Sequence, residues 1–141
     1  IRARLVGSEM CIRDSRFAMG LTGGKMSSSK PETTIFLNDT IDAIRTKIKK
    51  AHSGGKTTIE EHRRYGGDIT VDVAYQYLRF FFESDDVELG RIAEEYESGR
   101  ILAGEMKKLC TDRAEEWLLN LKEKREQWSD KLQEFLADDA I

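Results

Sequence analysis

The chain has 141 residues, of which 39% are hydrophobic and 35% are charged, and its formal net charge is −3. This length fits one compact domain or one domain with a further segment, and the composition is typical of a soluble, helix-rich protein. The apolar runs are too short to span a bilayer, and the N-terminus lacks the apolar stretch of a signal peptide. The two cysteines, Cys11 and Cys110, and the two histidines, His52 and His62, have no metal-ligand spacing. We therefore predict reduced thiols, a cytoplasmic location and no metal site.

Charge is distributed unevenly along the sequence. Residues 41–64 contain seven Lys or Arg and three Asp or Glu, whereas residues 83–141 contain nine and seventeen. A basic segment beside an acidic one indicates contact with nucleic acid through one face, although solvated helix faces would give the same pattern. Pro31 is the only proline, so the sequence after it can form long helices.

Residues 1–16 show neither a helical nor a strand period, and no function follows from them. We interpret them as a non-family segment that arises from a truncated or foreign reading frame. Cys11 is discounted for the same reason.

Residues 23–31 read Gly-Gly-Lys-Met-Ser-Ser-Ser-Lys-Pro and form the most informative stretch. Glycines permit close approach of the backbone, amides and hydroxyls donate hydrogen bonds, and an ammonium group neutralises charge, so such a loop can wrap a polyphosphate. Its spacing differs from that of a P-loop, in which four residues separate two glycines and Lys-Ser/Thr follows. A surface turn or linker is the alternative, because Gly and Ser are common in both.

After this serine loop, Ile35-Phe36-Leu37 predicts a short buried strand or an extended segment. A first helix is predicted over 40–52, because its isoleucines recur three and four residues apart. Asp39 or Thr40 can cap this helix, and Gly54-Gly55 ends it.

A second, short helix is predicted over 58–65, where Thr57 and a glutamate three residues later form a capping-box pattern. A third helix is predicted to begin at Thr70 and to run over 70–83. Its large side chains must be buried, and they make it the expected core helix of the domain. The predicted inner face consists of Val73, Tyr77, Phe80 and Phe81, widened by Leu78 and Phe82.

A fourth helix is predicted over 86–97, with Ser84 or Asp85 as its cap. A long fifth helix over 103–137 shows apolar spacings of three, four and seven, so it is expected to pack along the other helices, with Cys110 as a core thiol. Its predicted inner face consists of Met106, Cys110, Ala114, Trp117, Leu121, Trp128, Leu132 and Phe135.

Four motifs together carry a family resemblance: Lys-Met-Ser-Ser-Ser-Lys-Pro-Glu-Thr-Thr-Ile-Phe-Leu-Asn-Asp-Thr, the turn Ser-Gly-Gly-Lys, the block Thr-Ile-Glu-Glu-His-Arg, and Gly66-Gly67. Over residues 17–141 the chain resembles the tryptophanyl-tRNA synthetases of class I, in their archaeal and eukaryotic branch. Lys-Met-Ser-Ser-Ser is similar to the KMSKS signature of that class. The related tyrosyl enzymes share the serine loop but not the block with its paired glycines.

The resemblance implies a mainly α fold in which residues 17–40 are the end of a Rossmann-like catalytic domain with a KMSKS-type loop. Residues 41–141 then form a helical anticodon-binding domain. It also implies that tryptophan attacks the α-phosphate of ATP, accompanied by Mg²⁺, and that the tryptophanyl group passes to the 3′ end of tRNA(Trp). The HIGH-type motif of the family does not occur in the 141 residues. We therefore expect a C-terminal portion that is inactive and monomeric alone, within a homodimeric full-length enzyme.

The resemblance assigns a catalytic role to Lys25, which would neutralise charge on the triphosphate and on the leaving pyrophosphate. Ser28 stands where the family has its second motif lysine, and Lys30 either substitutes for that lysine or is a solvated side chain. The residues assigned to ATP binding are Lys25, Met26, Ser27, Ser28, Ser29 and Lys30.

The resemblance also places Lys56 and Thr57 where the family contacts anticodon bases, and it makes Arg63 and Arg64 candidates for contacts with the tRNA backbone. A lysine can bind a phosphate or a guanine edge, and a hydroxyl can donate or accept. The capping role of Thr57 is the alternative, and the two roles are compatible. Two other functions stay open: a non-catalytic helical module that binds RNA or a protein, and a structural bundle whose loop is a linker.

Overall fold

The computed structural model describes residues 18–138, with side chains as far as residue 129, so the segment 1–16 lies outside the described residues. Over the described range the chain forms five α-helices and no strand, which confirms the mainly α prediction. A single 3-10 turn, Pro31–Thr33, precedes the helices, and one turn of π-helix, Leu78–Phe82, continues the third of them. The α-helices are α1 Ile41–Lys49, α2 Ile59–Tyr65, α3 Val73–Tyr77, α4 Asp86–Glu97 and α5 Ala103–Asp138.

Four of the five α-helices of the described range begin at a polar side chain that accepts a backbone N–H group. The Thr40 hydroxyl accepts from Ala43 at the start of α1, at 3.2 Å. The Asp85 carboxylate accepts from the second and third residues of α4. The sequence allows Asp39 or Thr40 as the first of these caps and Ser84 or Asp85 as the second. The structure shows that Thr40 and Asp85 are the caps. At the start of α2 the sequence-based prediction is wrong by one residue, because Thr58 rather than Thr57 caps the helix, accepting from Glu61 at 3.1 Å.

The core lies where α1, α3 and α4 meet the first half of α5. Ile44 and Ile48 are buried on the inner face of α1, as their spacing predicts. Glu115 of α5 accepts two hydrogen bonds from the Arg45 guanidinium, one of them at 2.8 Å, and so ties α1 to α5. The buried residues of α4 and α5 are Leu89, Ile92, Tyr96, Met106, Cys110, Ala114 and Leu118.

The third helix departs from its prediction in both its start and its inner face. Helix α3 begins at Val73 rather than at Thr70, because the Asp68 carboxylate accepts from both the amide and the hydroxyl of Thr70 and forms a turn there. The π-helical turn then closes a five-residue hydrogen bond, from Glu83 N–H to Leu78 C=O, at 2.8 Å. A π turn rotates successive side chains by less than an α-helix does. The apolar face therefore drifts, and Phe80 and Phe81 are exposed instead of buried.

The long helix α5 packs on a slightly different stripe from the one predicted. Its buried residues recur every four positions, so Leu118 is buried where Trp117 was expected, and Trp117 is 39% exposed. Trp128 is also exposed, which corrects its predicted place on the inner face. Of the remaining predicted residues, Leu132 and Phe135 lie outside the described side chains.

Two shorter predictions are also corrected. Of the two alternatives for Ile35-Phe36-Leu37, the buried strand is wrong, because Leu37 is exposed and forms a turn with Asn38, whereas the extended segment is compatible with the extended backbone at Thr34 and the absence of regular structure at residues 34–36. Helix α1 ends at Lys49, before Gly54-Gly55, which instead lie in the connection to α2. No helix within the described range is both long enough and apolar enough to cross a membrane.

Candidate functional site

The serine loop is closed on itself by one buried side chain, Thr33. The Thr33 hydroxyl accepts the Ser27 N–H at 3.0 Å and lies 2.7 Å from the Lys30 carbonyl oxygen, to which it donates. The Thr33 N–H also donates to the Lys30 carbonyl, at 2.9 Å. These bonds fix both ends of the Ser-Ser-Ser-Lys segment, so a loop rich in flexible residues has one defined backbone path.

The base of the loop is attached to the segment that follows α1. Leu21 is buried, its N–H donates to the Thr33 carbonyl at 2.9 Å, and its carbonyl accepts the His52 N–H at 2.7 Å. Gly23 has a φ of +83°, and a Cβ atom there would lie 3.1 Å from the His52 ring, so both conformation and space favour glycine.

The residues predicted to bind ATP divide into two groups. Lys25, Ser28, Ser29 and Lys30 are exposed, whereas Met26 and Ser27 are half-buried. Met26 packs against the core. Within the described residues no carboxylate pairs with Lys25 or Lys30, so both ammonium groups are available to an anion.

A cavity of about 600 Å³ opens beside the glycines of the loop. It is lined by Ala18, Met19, Gly23, Gly24, Lys25 and Met26. The lining is therefore mainly apolar and includes Lys25, a combination that suits a ligand with an apolar part and an anionic part.

A buried carboxylate, Asp72, organises the Ser-Gly-Gly-Lys turn before α2. Its Oδ2 accepts from the Ser53 hydroxyl at 3.1 Å, from the Gly54 N–H at 3.0 Å and from the Tyr96 hydroxyl at 2.7 Å. Its Oδ1 accepts from the Tyr75 N–H at 3.0 Å and so caps α3. Burial raises the pKa of the Tyr96 hydroxyl, which therefore stays protonated and donates to the carboxylate.

Gly54 lets this turn approach the backbone of the next connection. Its carbonyl accepts the Asp68 N–H at 2.9 Å, and a Cβ atom at residue 54 would lie 1.9 Å from the Asp68 carbonyl oxygen. No other residue type fits without moving the backbone.

Lys56 and Thr57 project from this turn and are both exposed. Behind them the buried His62 ring lies with Nε2 2.9 Å from the Ile101 carbonyl oxygen, and its Nδ1 accepts the Lys56 N–H at 3.4 Å. Because Thr58 caps α2, the Thr57 side chain has no helix-capping hydrogen bond and is free to contact a ligand. Lys56 and Thr57, which are adjacent in the sequence, thus both line a cleft of about 310 Å³.

The two predicted arginines lie on α2 but have different surroundings. Arg63 donates to the Gly99 carbonyl at 3.0 Å and to the Arg100 carbonyl, so part of its hydrogen-bonding capacity stabilises the connection between α4 and α5. The Arg64 guanidinium lies 5.2 Å from the centre of the exposed Tyr65 ring. Arg64 and Tyr65 therefore offer a cation and an aromatic face together.

A second cleft, of about 630 Å³, lies beside the first, and both are lined by Ala103 and Gly104. It contains four basic residues, of which Lys107 donates to the Lys49 carbonyl at 3.1 Å. The charged residues of this cleft are Arg45, Lys49, Lys107, Lys108, Asp112 and Glu115.

Sequence reasoning missed the two residues that fix these sites, Thr33 and Asp72. Asp72 directly precedes the apolar run of α3, and an aspartate in that position is a recognisable cap signal. Thr33 has no comparable signal, since its partners depend on how the loop folds back.

Comparison with known proteins identifies the family of the chain. The family model of class I tRNA synthetases for tryptophan and tyrosine matches residues 9–119. The tryptophan–tRNA ligase of Sulfolobus acidocaldarius is 46% identical over 127 residues, which are 88% of this chain and 33% of that protein. The human cytoplasmic tryptophan–tRNA ligase is 43% identical over 87% of this chain and 27% of that protein.

A solved structure, the tryptophanyl-tRNA synthetase of Aeropyrum pernix K1, superposes with a TM-score of 0.76 and 37% identity, over 79% of this chain and 30% of that one. The chain thus spans about a third of the length of the relatives that it matches. It belongs to the class I tRNA synthetases for tryptophan and tyrosine, and its resemblance to the tryptophanyl members of that family is confirmed.

Proposed function

We propose that this chain provides the ATP-closing loop and the anticodon-binding part of a tryptophan–tRNA ligase. The observation that carries the proposal is that one chain holds both an internally fixed loop with free lysines and a separate cleft lined by the exposed Lys56 and Thr57. In the reaction, the tryptophan carboxylate attacks the α-phosphate of ATP and releases pyrophosphate. The tryptophanyl group then passes to the 3′ end of tRNA(Trp).

Lys25 is the residue of the loop that acts on the chemistry. Its exposed ammonium lies beside the cavity next to the glycines, where it would neutralise the triphosphate and the charge that develops on the leaving pyrophosphate. This role needs no proton transfer. Mg²⁺ enters with ATP as part of the substrate, because residues 25–30 offer ammonium and hydroxyl groups rather than the carboxylates that Mg²⁺ prefers.

The hydroxyl groups of the loop complete the phosphate site. The Ser27 and Ser29 hydroxyls lie 2.9 Å apart and can both turn toward an anion. Ser28 supplies no positive charge, so Lys30 is proposed to replace the missing second lysine of the motif. The Lys30 N–H donates to the Ser27 carbonyl at 3.2 Å, and this bond keeps Lys30 next to the serines. The bond supports the proposed role of Lys30.

The tRNA-binding surface is proposed to be the pair of adjoining clefts. Lys56 and Thr57 would read bases, while Arg63 and Arg64 would contact the backbone from α2. The neighbouring basic cleft, with Lys49 and the lysines of α5, extends this surface, so a strand leaving the first cleft would stay in contact with positive charge.

The setting of this activity is proposed from the relatives. Several of them are named cytoplasmic, and we propose the same location for this protein. We also propose that the full-length enzyme is a homodimer and that this portion is monomeric alone. A non-catalytic RNA-binding module is the second candidate, because both clefts are formed by residues of this chain.

The test uses a chimera, because the chain spans about a third of its relatives. The matched region of the Sulfolobus acidocaldarius ligase is replaced by the residues of this chain. Lys25→Ala should reduce tryptophan-dependent pyrophosphate exchange by about 100-fold or more, as loss of a charge-stabilising group does, with tRNA affinity unchanged. Unchanged exchange would show that the loop assignment is wrong and would favour the non-catalytic module.

Lys56→Ala in the same chimera serves as the matched control. It should leave pyrophosphate exchange intact, weaken tRNA binding, and lower the slope of log K against log salt by about one. If both variants lose exchange equally, the loop and the cleft do not have separate roles.

A further inference from the structure

We infer that Asp72 is a positioning residue for RNA recognition, because its buried Oδ2 fixes the turn from which Lys56 and Thr57 project. The inference rests on the proposed function, since it assigns a reason for the selectivity of that same cleft. Asp72 itself is 0% exposed and touches no ligand surface. Its effect on RNA recognition would therefore be indirect, through the turn that carries Lys56 and Thr57.

The first step of the argument is the direct bond between Asp72 and the turn. Oδ2 accepts both the Ser53 hydroxyl and the Gly54 N–H, and the Ser53 hydroxyl in turn accepts the Gly55 N–H at 3.2 Å. Two successive backbone amides before Lys56 are thus held, one directly and one through a serine. A buried donor left without its acceptor costs about 1–3 kcal/mol, so the turn is strongly biased to this path.

The second step is that Asp72 has two separate tasks, one on each oxygen. Oδ1 caps α3 through Tyr75, whereas Oδ2 serves the turn and the Tyr96 hydroxyl. A cap alone would need only the first oxygen, and Asn caps a helix about as well as Asp. The second oxygen is the feature that a purely structural cap does not explain.

The third step is that the rest of the turn is also fixed. The Gly54 carbonyl is bound to the Asp68 N–H, and the Lys56 N–H points to the His62 ring. The backbone is therefore held on both sides of Gly55, and Lys56 and Thr57 leave it in set directions. Preorganisation of this kind improves discrimination between similar ligands, because a wrong base cannot be accommodated by a shift of the turn.

The test is Asp72→Asn in the 141-residue chain. Asparagine keeps an oxygen for the Tyr75 N–H but places an NH₂ group where Oδ2 accepted three donors. Fluorescence anisotropy measures binding to an RNA hairpin with a CCA anticodon loop and to hairpins with one anticodon base changed. Asp72→Asn should reduce the affinity ratio between the matched and changed hairpins at least fivefold. Amide exchange at Gly54 should accelerate at least tenfold.

Asp85→Asn is the matched control, because Asp85 also caps a helix but lies on the exposed start of α4 and bonds only to α4 amides and to neighbouring residues. It should leave both the affinity ratio and the Gly54 exchange rate unchanged. If Asp72→Asn does not fold, Ser53→Ala takes its place. This variant removes one contact of Oδ2 and the acceptor of the Gly55 N–H, and it should lower the ratio about threefold. Its control is Ser98→Ala, which removes an exposed hydroxyl directly after α4 that donates only to the nearby Glu95 carbonyl.

The outcomes separate the two proposals. If the unaltered chain does not distinguish the hairpins, the proposed function fails whatever Asp72 does. If it distinguishes them and Asp72→Asn keeps the full ratio, the inference about Asp72 is wrong and the proposed function stands. An Asp85→Asn variant that loses the ratio equally would show that general stability, and not the turn, controls recognition.

Discussion

Thr33 shows how a single hydroxyl determines the shape of a loop whose functional side chains are exposed. Its side chain is 6% exposed and serves the Ser27 amide and two carbonyls. Exposed serines and lysines cannot define a backbone path by packing, because they bury little surface. The order of the loop therefore depends on the buried residue after it, and the residues predicted to bind ATP depend on Thr33 for their placement.

Thr33→Val should destabilise the protein by about 1–3 kcal/mol, because valine keeps the volume of threonine but removes the acceptor of the Ser27 N–H and leaves the Lys30 carbonyl with the Thr33 N–H alone. Chemical denaturation followed by circular dichroism measures this. Thr34→Val is the matched control: the Thr34 Oγ1 is buried and has no hydrogen-bond partner within the described residues. This second variant should be neutral or stabilising. Equal losses in both variants would contradict the assignment.

At the scale of helices, the sequence predicts those elements whose apolar period is uninterrupted. Helix α4 matches its predicted range from Asp86 to Glu97, and α1 differs only at its ends. The failure begins at Leu78, where the π turn changes the angular step between side chains. If the α-helical period of 3.6 residues per turn is continued through the π turn, Phe80 and Phe81 are predicted to be buried. In the structure they are exposed. The π turn contacts α5, and a contact between segments so distant in the sequence gives no local pattern from which it could be predicted.

The residues of the candidate site also divide into those that a local sequence pattern predicts and those that it does not. Lys25, Lys56 and Thr57 can be predicted from the sequence, because each of them lies in a motif of consecutive residues. Thr33 and Asp72 were not, because their roles come from contacts with residues elsewhere in the sequence, such as Tyr96. The alternative role of Thr57 as a helix cap is wrong, because Thr58 accepts the Glu61 N–H instead, and the role of Thr57 in contacting RNA stays a prediction.

Helix α5 offers a direct test of its packing stripe, since two neighbouring residues differ in burial. Leu118 is 1% exposed and Trp117 is 39% exposed. Leu118→Ala should cost about 2–5 kcal/mol, as cavity-forming core substitutions do. Trp117→Ala loses mainly its edge-to-face contact with Phe82, at 5.9 Å between ring centres, and should cost less than half as much. Circular dichroism during urea unfolding measures both, and a larger loss for Trp117 would restore the stripe predicted from the sequence.

At the scale of the whole molecule, the loop and the clefts are connected by the short segment after α1. The His52 amide donates to Leu21 at the base of the serine loop, and the His52 carbonyl accepts the Val73 N–H at 3.3 Å. The next two residues along the chain are the ones that Asp72 holds. A single connection of a few residues thus sets the position of both candidate sites, so the two sites are parts of one packed unit.

Alkaline pH tests this packing as a whole, because the core contains ionisable groups that are held neutral. Burial raises the pKa of Cys110 from 9.0 to about 12 and that of Tyr77 from 10.0 to about 12. Below pH 9 both groups are protonated whether the chain is folded or not, and their contribution to stability is complete. As pH rises from 9 toward 12 the unfolded chain loses these protons first, so the free energy of unfolding must fall.

The expected decline can be assigned to one residue. Cys110→Ala removes the group with the lowest unfolded pKa, and between pH 9 and 10 it should make the slope of unfolding free energy against pH shallower, by up to about 1.4 kcal/mol per pH unit. Leu118→Ala, which also shortens a buried side chain of α5 but removes no ionisable group, should lower stability equally at every pH. Urea unfolding at half-unit steps from pH 7 to 11 measures the slopes. Parallel curves for the unaltered chain and Cys110→Ala would mean that the thiol ionises as readily in the folded protein as in the unfolded chain, and that the contact between α1, α3 and α5 is open to water.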